Sequence, residues 1–269
     1  MIGSEYTHLA IKPKKTIPQE SGDKKIQKIW NKKSGKFIDY ASYQAINKQF
    51  FEAIKKNTSI EEDFEAFKST EWTERIMLRA FQFSSAKDLT ESMALQTLAL
   101  QSNGFTDFKE KASEIVEINR SQWLRVEQDN LIRNAVMGEG WRKIEESKSL
   151  YPYWQYKTEE DDRVRPEHES LDNLVFRIGD PEGDDCYPPN DWNCRCHADV
   201  IDDTDLNEQG LKVSDGKDYL NEKDADGEPY IADNFKYNSG KDGPLPNTGS
   251  YFDVLPNINK LDSESFDFE

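Results

Sequence analysis

The chain has 269 residues, room for one large domain or two smaller ones with tails. Its 52 acidic residues against 35 Lys and Arg leave a net charge of −17, which disfavours tight nucleic-acid binding by the molecule as a whole. Six Trp, eleven Tyr and fourteen Phe supply enough ring surface for a core and argue against disorder throughout, although only 35% of the residues are hydrophobic.

The charge is unevenly spread. Residues 1–60 carry twelve Lys against five acids, whereas residues 198–269 carry eighteen acids against six Lys. Only the basic N-terminal segment therefore suits DNA or an acidic partner, and a plain solubilising tail explains it as well. No apolar run approaches the roughly 18 residues of a membrane span, and no apolar secretory h-region opens the chain. The expectation is a protein made in the cytosol that stays soluble, with no membrane partner.

Residues 1–25, Lys-rich and broken by Pro13 and Pro18, read as a mobile basic arm. From Ile26 to Lys56 apolar residues recur at helical spacing, with a break expected at 34–37. Ser59 and Glu62 fit a capping box for a short helix through Phe67. A longer helix is predicted over 72–101, with Ile76, Ala80, Phe83, Ala86, Leu89 and Met93 on its stripe and Asn103-Gly104 at its end. Asp107 and Glu110 suggest a second capping box, opening a helix to about Asn119. Residues 122–148 form another, striped by Leu124, Leu131, Ala135 and Ile144 with Ile132, Val136 and Trp141 beside them. Gly138 and Gly140 mark a bend or a close contact within it.

The pattern changes after Leu150. Alternating aromatics over 151–156 predict one strand, and residues 174–178 a second, within a stretch otherwise rich in turn residues. Residues 198–269 show no helical stripe, only small hydrophobic groups such as Tyr219-Leu220, Phe235 and Tyr251-Phe252. They read as an extended acidic arm wrapping a partner or its own body, or as a disordered tail. The expected fold is α+β: a helical body (26–150), a small loop-rich, β-containing Cys/His module (151–200) and an acidic arm (201–269).

All three cysteines, Cys186, Cys194 and Cys196, fall inside this module, close to His168 and His197. Thiolates and imidazoles are the preferred zinc ligands, and Cys194 and Cys196 share a face in an extended segment. His168 could join them, with Cys186, His197 or Asp162 as the fourth ligand. Reduced thiols packed as small hydrophobes, with His168 a hydrogen-bonded structural residue, explain the pattern equally, and a disulfide involving Cys186 is a third reading. A Cys–His nucleophile fits poorly where acids crowd the cysteines. No Gly-rich phosphate loop, H-E-x-x-H or G-x-S-x-G is present.

The same residues carry a resemblance. Thr158, Asp162, Arg163, Arg165 and His168, then Leu171-Asp172, then Pro188-Pro189-Asn190, Trp192-Asn193 and Cys194-Arg195-Cys196 resemble the C-terminal signature of the phage Mu F-like, or head morphogenesis, family. Upstream, Phe83 to Lys87, Phe108, Asn119, Trp123 to Glu127 and Trp141 are similar as well. Asn173 stands where the family usually has Gly, and Asn tolerates the left-handed backbone such a turn uses. Cys186 falls outside the shared pattern.

The resemblance implies a minor head protein of a phage or prophage, assisting capsid assembly at or near the portal vertex and binding portal or major capsid subunits. It implies a place in the virion and no enzymatic activity. On this reading Arg163, Arg165 and Arg195 pair with nearby carboxylates to hold the module's shape. A zinc-dependent nuclease or peptidase built on His168 and the cysteines, and a DNA-packaging accessory, are the alternatives.

Overall fold

The computed structural model describes residues 19–32, 40–59, 71–118 and 124–242. They form an α+β fold, mainly helical, with one three-stranded antiparallel sheet. They divide into two compact units: one holds residues 54–59, 71–76 and 130–242, the other residues 19–32, 40–53, 77–118 and 124–129. No described helix is long and apolar enough to cross a membrane. The expected break at 34–37, the helix expected after Ser59 and the end of the acidic arm lie outside the described residues.

The long helices are α1 (Gln19–Lys32), α2 (Tyr40–Asn57), α3 (Glu71–Gln101), α4 (Phe105–Ile118) and α5 (Leu124–Ser147). In the second unit Ile26 and Ile29 of α1 pack with Leu95 and Ala99 of α3 and Phe108, Ala112 and Val116 of α4. Trp30 stacks on Phe108 at 5.4 Å. Helix α1 begins inside the segment expected to be a mobile arm, and Lys25 explains why it is held. Its Nζ is fully buried, 2.5 Å from Asp88 Oδ1 and 3.0 Å from Glu91 Oε1. Burial opposes the ammonium charge, but the two carboxylates outweigh it and raise its pKa.

That network also corrects the predicted stripe of α3. Met93 is exposed, while Asp88, Glu91 and Ser92 are buried beside Leu89, Leu95 and Ala99. Polar residues occupy part of the inward face because each has a partner there, so hydrophobicity alone misplaces it. Helix α4 starts two residues before Asp107. Asp107 is not the cap: its carboxylate reaches back to the Asn103 N–H at 3.0 Å, after Gly104 has turned the chain at φ +151°.

In the first unit the sheet order is β2-β1-β3, from β1 (Tyr153–Lys157), β2 (Val175–Arg177) and β3 (His197–Ile201). Trp154 lies opposite Phe176 on one side and Val200 on the other. Alternation sends Trp154, Tyr156, Phe176 and Ala198 into a core with Met137, Trp141 and Ile144 of α5. Tyr153, Val175 and Ile201 face the other way, under Leu206 and Leu211. Strand β3 was not expected, since its five residues carry His197 and Asp199 and sit at the head of the acidic stretch. Gly140 allows a close approach: a Cβ there would meet the Tyr187 hydroxyl at 3.2 Å, and that hydroxyl donates to the Met137 carbonyl at 3.0 Å.

Beyond β3 come α8 (Asp203–Glu208), α9 (Lys217–Leu220), a 3-10 turn (Asp233–Phe235) and α10 (Ser239–Asp242). As far as Asp242 the acidic stretch wraps its own body. Leu220, Ile231, Phe235 and Tyr237 belong to the same core as Trp141 and Trp154. Asn238 donates to the Asp184 carbonyl at 2.9 Å, and Lys241 pairs with the buried Asp184 carboxylate at 2.5 Å. Gly216 and Gly240 fit because they lack side chains: a Cβ would lie 2.0 Å from the Gly183 nitrogen or 2.5 Å from Trp141 Cβ.

This corner carries a pH dependence. Burial, with the neighbouring Asp242 carboxylate adding to it, pushes the pKa of Asp185 up to about 6. The protonated form is the better fit, so its contribution to stability is complete below pH about 4 and disappears as pH rises through about 6. Asp185→Asn should therefore stabilise the protein at pH 7 by about 1 kcal/mol, after allowance for solvent screening. Its advantage should vanish at pH 4, as read from urea midpoints at the two values.

Candidate functional site

The module between β1 and β3 is mostly loop, interrupted by α6 (Pro166–Glu169), β2 and α7 (Pro181–Asp185). Pro166 opens α6 where a missing N–H costs nothing and sets His168 facing inward. The Cys194-to-Cys196 segment leads directly into β3, and its spacing turns both sulfurs to the same side. His168, Cys194 and Cys196 thereby converge, all buried, with their ligand atoms within 4.8 Å of one another. Cys196 Sγ and His168 Nδ1 lie 3.9 Å apart.

The electrostatics of the trio follow from this packing. Burial works against a thiolate at Cys194, but hydrogen bonds from Cys196 and His168 outweigh it and hold its pKa well below the ordinary thiol range. The bond to Cys194, then burial, push Cys196 far up. His168 is raised, because Cys194 overcomes its burial. Tyr156 is fully buried beside both sulfurs; burial raises its pKa, and its hydroxyl donates to Asn190 Oδ1 at 2.7 Å. Asn190 in turn donates to the Cys186 carbonyl at 3.0 Å.

The other residues singled out from sequence stand around this group. Cys186 lies apart, its thiol donating to the Glu182 carbonyl at 3.2 Å, and burial raises its pKa strongly. The three cysteines are free thiols. His197 faces Glu159 at 3.8 Å and burial lowers its pKa, while Asp162 is exposed. Neither joins the trio.

Arg195 grips Asp161, the neighbour of the residue picked from sequence, through two N–H bonds, and Arg163 pairs with the same carboxylate at 3.3 Å. Those bonds, from Arg195 first, hold the Asp161 carboxyl well below the usual range. Arg165 donates to the Trp192 carbonyl at 2.7 Å and pairs with Asp191 at 3.3 Å. Trp192 meets Phe235 edge-on at 5.6 Å. Pro188 and Pro189, joined by a cis bond, are buried, and Asn193 takes a left-handed backbone at φ 59°.

Sequence reasoning missed Arg133 of α5. Its guanidinium donates to the Cys196 carbonyl at 2.7 Å and to the Arg195 carbonyl, clamping the Cys-Arg-Cys backbone onto the helix. Tyr156 and Asn190 were visible only as members of longer motifs. Nothing in the local pattern of α5 marks Arg133 as an inward residue.

The turn after α6 is fixed by Asp172, whose carboxylate accepts from the Thr158 N–H at 2.7 Å and its hydroxyl at 3.1 Å. Asn173 stands at φ 65° and its Oδ1 accepts from Gln155 and Lys157. Asn173→Ala loses those bonds and strains the left-handed turn, whereas Asn173→Gly loses only the bonds. The Ala variant should be the less stable of the two by about 1 kcal/mol in denaturant unfolding.

Residues 87–199 match the family described as Phage Mu protein F like protein. This part of the chain belongs to the phage Mu protein F-like family. A protein of Escherichia phage Mu, provisionally named capsid assembly protein F, is 34% identical over 128 residues, covering 45% of this chain and 29% of that protein. The Mu-like prophage FluMu F protein of Haemophilus influenzae is 40% identical over 63 residues, covering 23% of this chain and 15% of that protein. The matches thus span less than a third of either relative. No solved structure matches the chain.

The Mu F-like region begins at Lys87, and its upstream motif residues have a structural reason. Lys87 and Glu127, from two separate motif stretches, meet as a buried ion pair at 2.6 Å. Trp141 lies edge-on to Trp154 at 6.3 Å and to Tyr187 at 4.9 Å. The signature residues of this region are chiefly spent on internal bonds.

Proposed function

We propose that the chain is a minor head protein of a phage or prophage, assisting capsid assembly at or near the portal vertex by binding portal or major capsid subunits. The observation that carries this reading is the 34% identity over 128 residues to the Mu protein provisionally named for capsid assembly. The packing of the signature supports it. Arg133, Arg165, Arg195 and Asp172 hold backbone and neighbouring side chains, and His168, Cys194 and Cys196 are each at most 5% exposed. A substrate has no route to side chains packed that tightly, so the motif suits a rigid piece better than a catalytic cleft.

On this reading the protein is not an enzyme, works in the host cytoplasm during assembly and ends in the virion. Affinity capture of the tagged full chain from infected or induced cells tests it. Portal or major capsid subunits should be recovered in stoichiometric amount. Recovery of neither, while both accumulate in the same cells, would overturn the reading. DNA packaging is the competing role; it predicts salt-sensitive DNA binding that disappears when residues 1–60 are removed.

A further inference from the structure

We propose that His168, Cys194 and Cys196 are protein ligands of a zinc ion that braces the Mu F-like module. The geometry points to it. Three soft or borderline donors converge from two separate segments, their ligand atoms within 4.8 Å of one another. In a tetrahedral zinc site, bonds of about 2.0–2.3 Å put neighbouring ligand atoms roughly 3.3–3.8 Å apart. The 3.9 Å between Cys196 Sγ and His168 Nδ1 is already close to that spacing, and small side-chain rotations close the remainder. Two thiolates and one imidazole favour zinc over the hard cations that prefer oxygen.

The surroundings suit a structural ion. Tyr156, fully buried beside the two cysteines with its hydroxyl anchored to Asn190, is the neighbour able to offer an oxygen as the fourth ligand. Arg133 fixes the backbone of the Cys-Arg-Cys segment through the Cys196 carbonyl, and Pro166 fixes the turn that carries His168. Such supports around a metal orient its ligands. Closing the loop from His168 to Cys194 with an ion would remove much of the freedom of a segment that has little regular structure of its own. Cys186 takes no part, being committed to the Glu182 carbonyl on the far side of Asn190.

The test uses the full chain, produced in zinc-supplemented cells and purified with reductant and without chelator. Elemental analysis should find about one zinc per chain, retained in Cys186→Ser and lost at least tenfold in Cys194→Ser and Cys196→Ser. Wild-type zinc no higher than in the Cys194→Ser/Cys196→Ser double variant would overturn the proposal. Because those variants can fail by unfolding, the chelator-stripped wild-type chain is also titrated with cobalt. A thiolate-to-cobalt charge-transfer band should appear, with alkylation slowed at Cys194 and Cys196 and unchanged at Cys186. No band and no metal-dependent protection would overturn it independently of any variant.

Discussion

Trp141→Ala is expected to cost about 3–5 kcal/mol of folding stability, the range for truncating a fully buried indole. Trp141 is completely buried, at the point where α5, the sheet, the Tyr187 loop and α10 meet. Trp154 and Tyr187 approach its ring edge-on, Lys241 sits 5.5 Å from its centroid, and Gly240 lies against its side chain. No single neighbour can move in to fill the space, so the cavity persists. The midpoint of thermal unfolding should fall by on the order of 10 °C. Trp141→Phe should lose far less, because the indole N–H makes no hydrogen bond and the ring contacts are partly kept. Equal losses in the two variants, by calorimetry, would show that the cavity is not the cause.

Ending the chain after Asp202 should be more damaging still. It removes Leu220, Ile231, Phe235 and Tyr237 from the core, together with the Asn238 and Lys241 links to Asp184. Burying four large apolar side chains at about 1.5–3 kcal/mol each amounts to on the order of 6–12 kcal/mol, as much as a whole domain commonly retains. Tyr237 also donates to Asn134 at 2.5 Å inside α5, so truncation leaves that buried amide short of a partner. Limited proteolysis and circular dichroism should find the module around β1–β3 without a cooperative transition. A shortened chain that unfolds like the full one would mean this stretch is an accessory.

The helical body was legible from the sequence wherever apolar periodicity was strong. Helices α3 to α5 fall close to the expected ranges, although the stripe predicted for α3 misplaces Met93, and Asn103-Gly104 marks the end of α3. The inward polar face of α3 was not legible, because Asp88 and Glu91 are buried through Lys25, which lies far away in the chain, and Ser92 through the Asp88 carbonyl of its own helix. The same limit hid Lys25 and Arg133. Strand β3 is defined by pairing with β1 across a loop of some forty residues, not by its own short composition.

The candidate site was half legible. Residue type and spacing picked out His168, Cys194 and Cys196, which the fold brings together. They could not show that Asp161 and not Asp162 receives Arg195, because that depends on which way each side chain leaves an irregular turn. Nor could they separate Cys186 from the other two thiols, since the seven residues between Cys186 and Cys194 can lead almost anywhere. Phe235 looked like an isolated anchor in an acidic stretch, and only its packing against Trp192 and Tyr237 makes it core.

The reading that this chain builds heads is tested most directly by heads themselves. Particles purified by density gradient from infected or induced cells should contain the chain in a few copies each, detectable by quantitative mass spectrometry and resistant to high-salt washing. Heads free of the chain, with all of it left in the unassembled soluble fraction, would contradict the account.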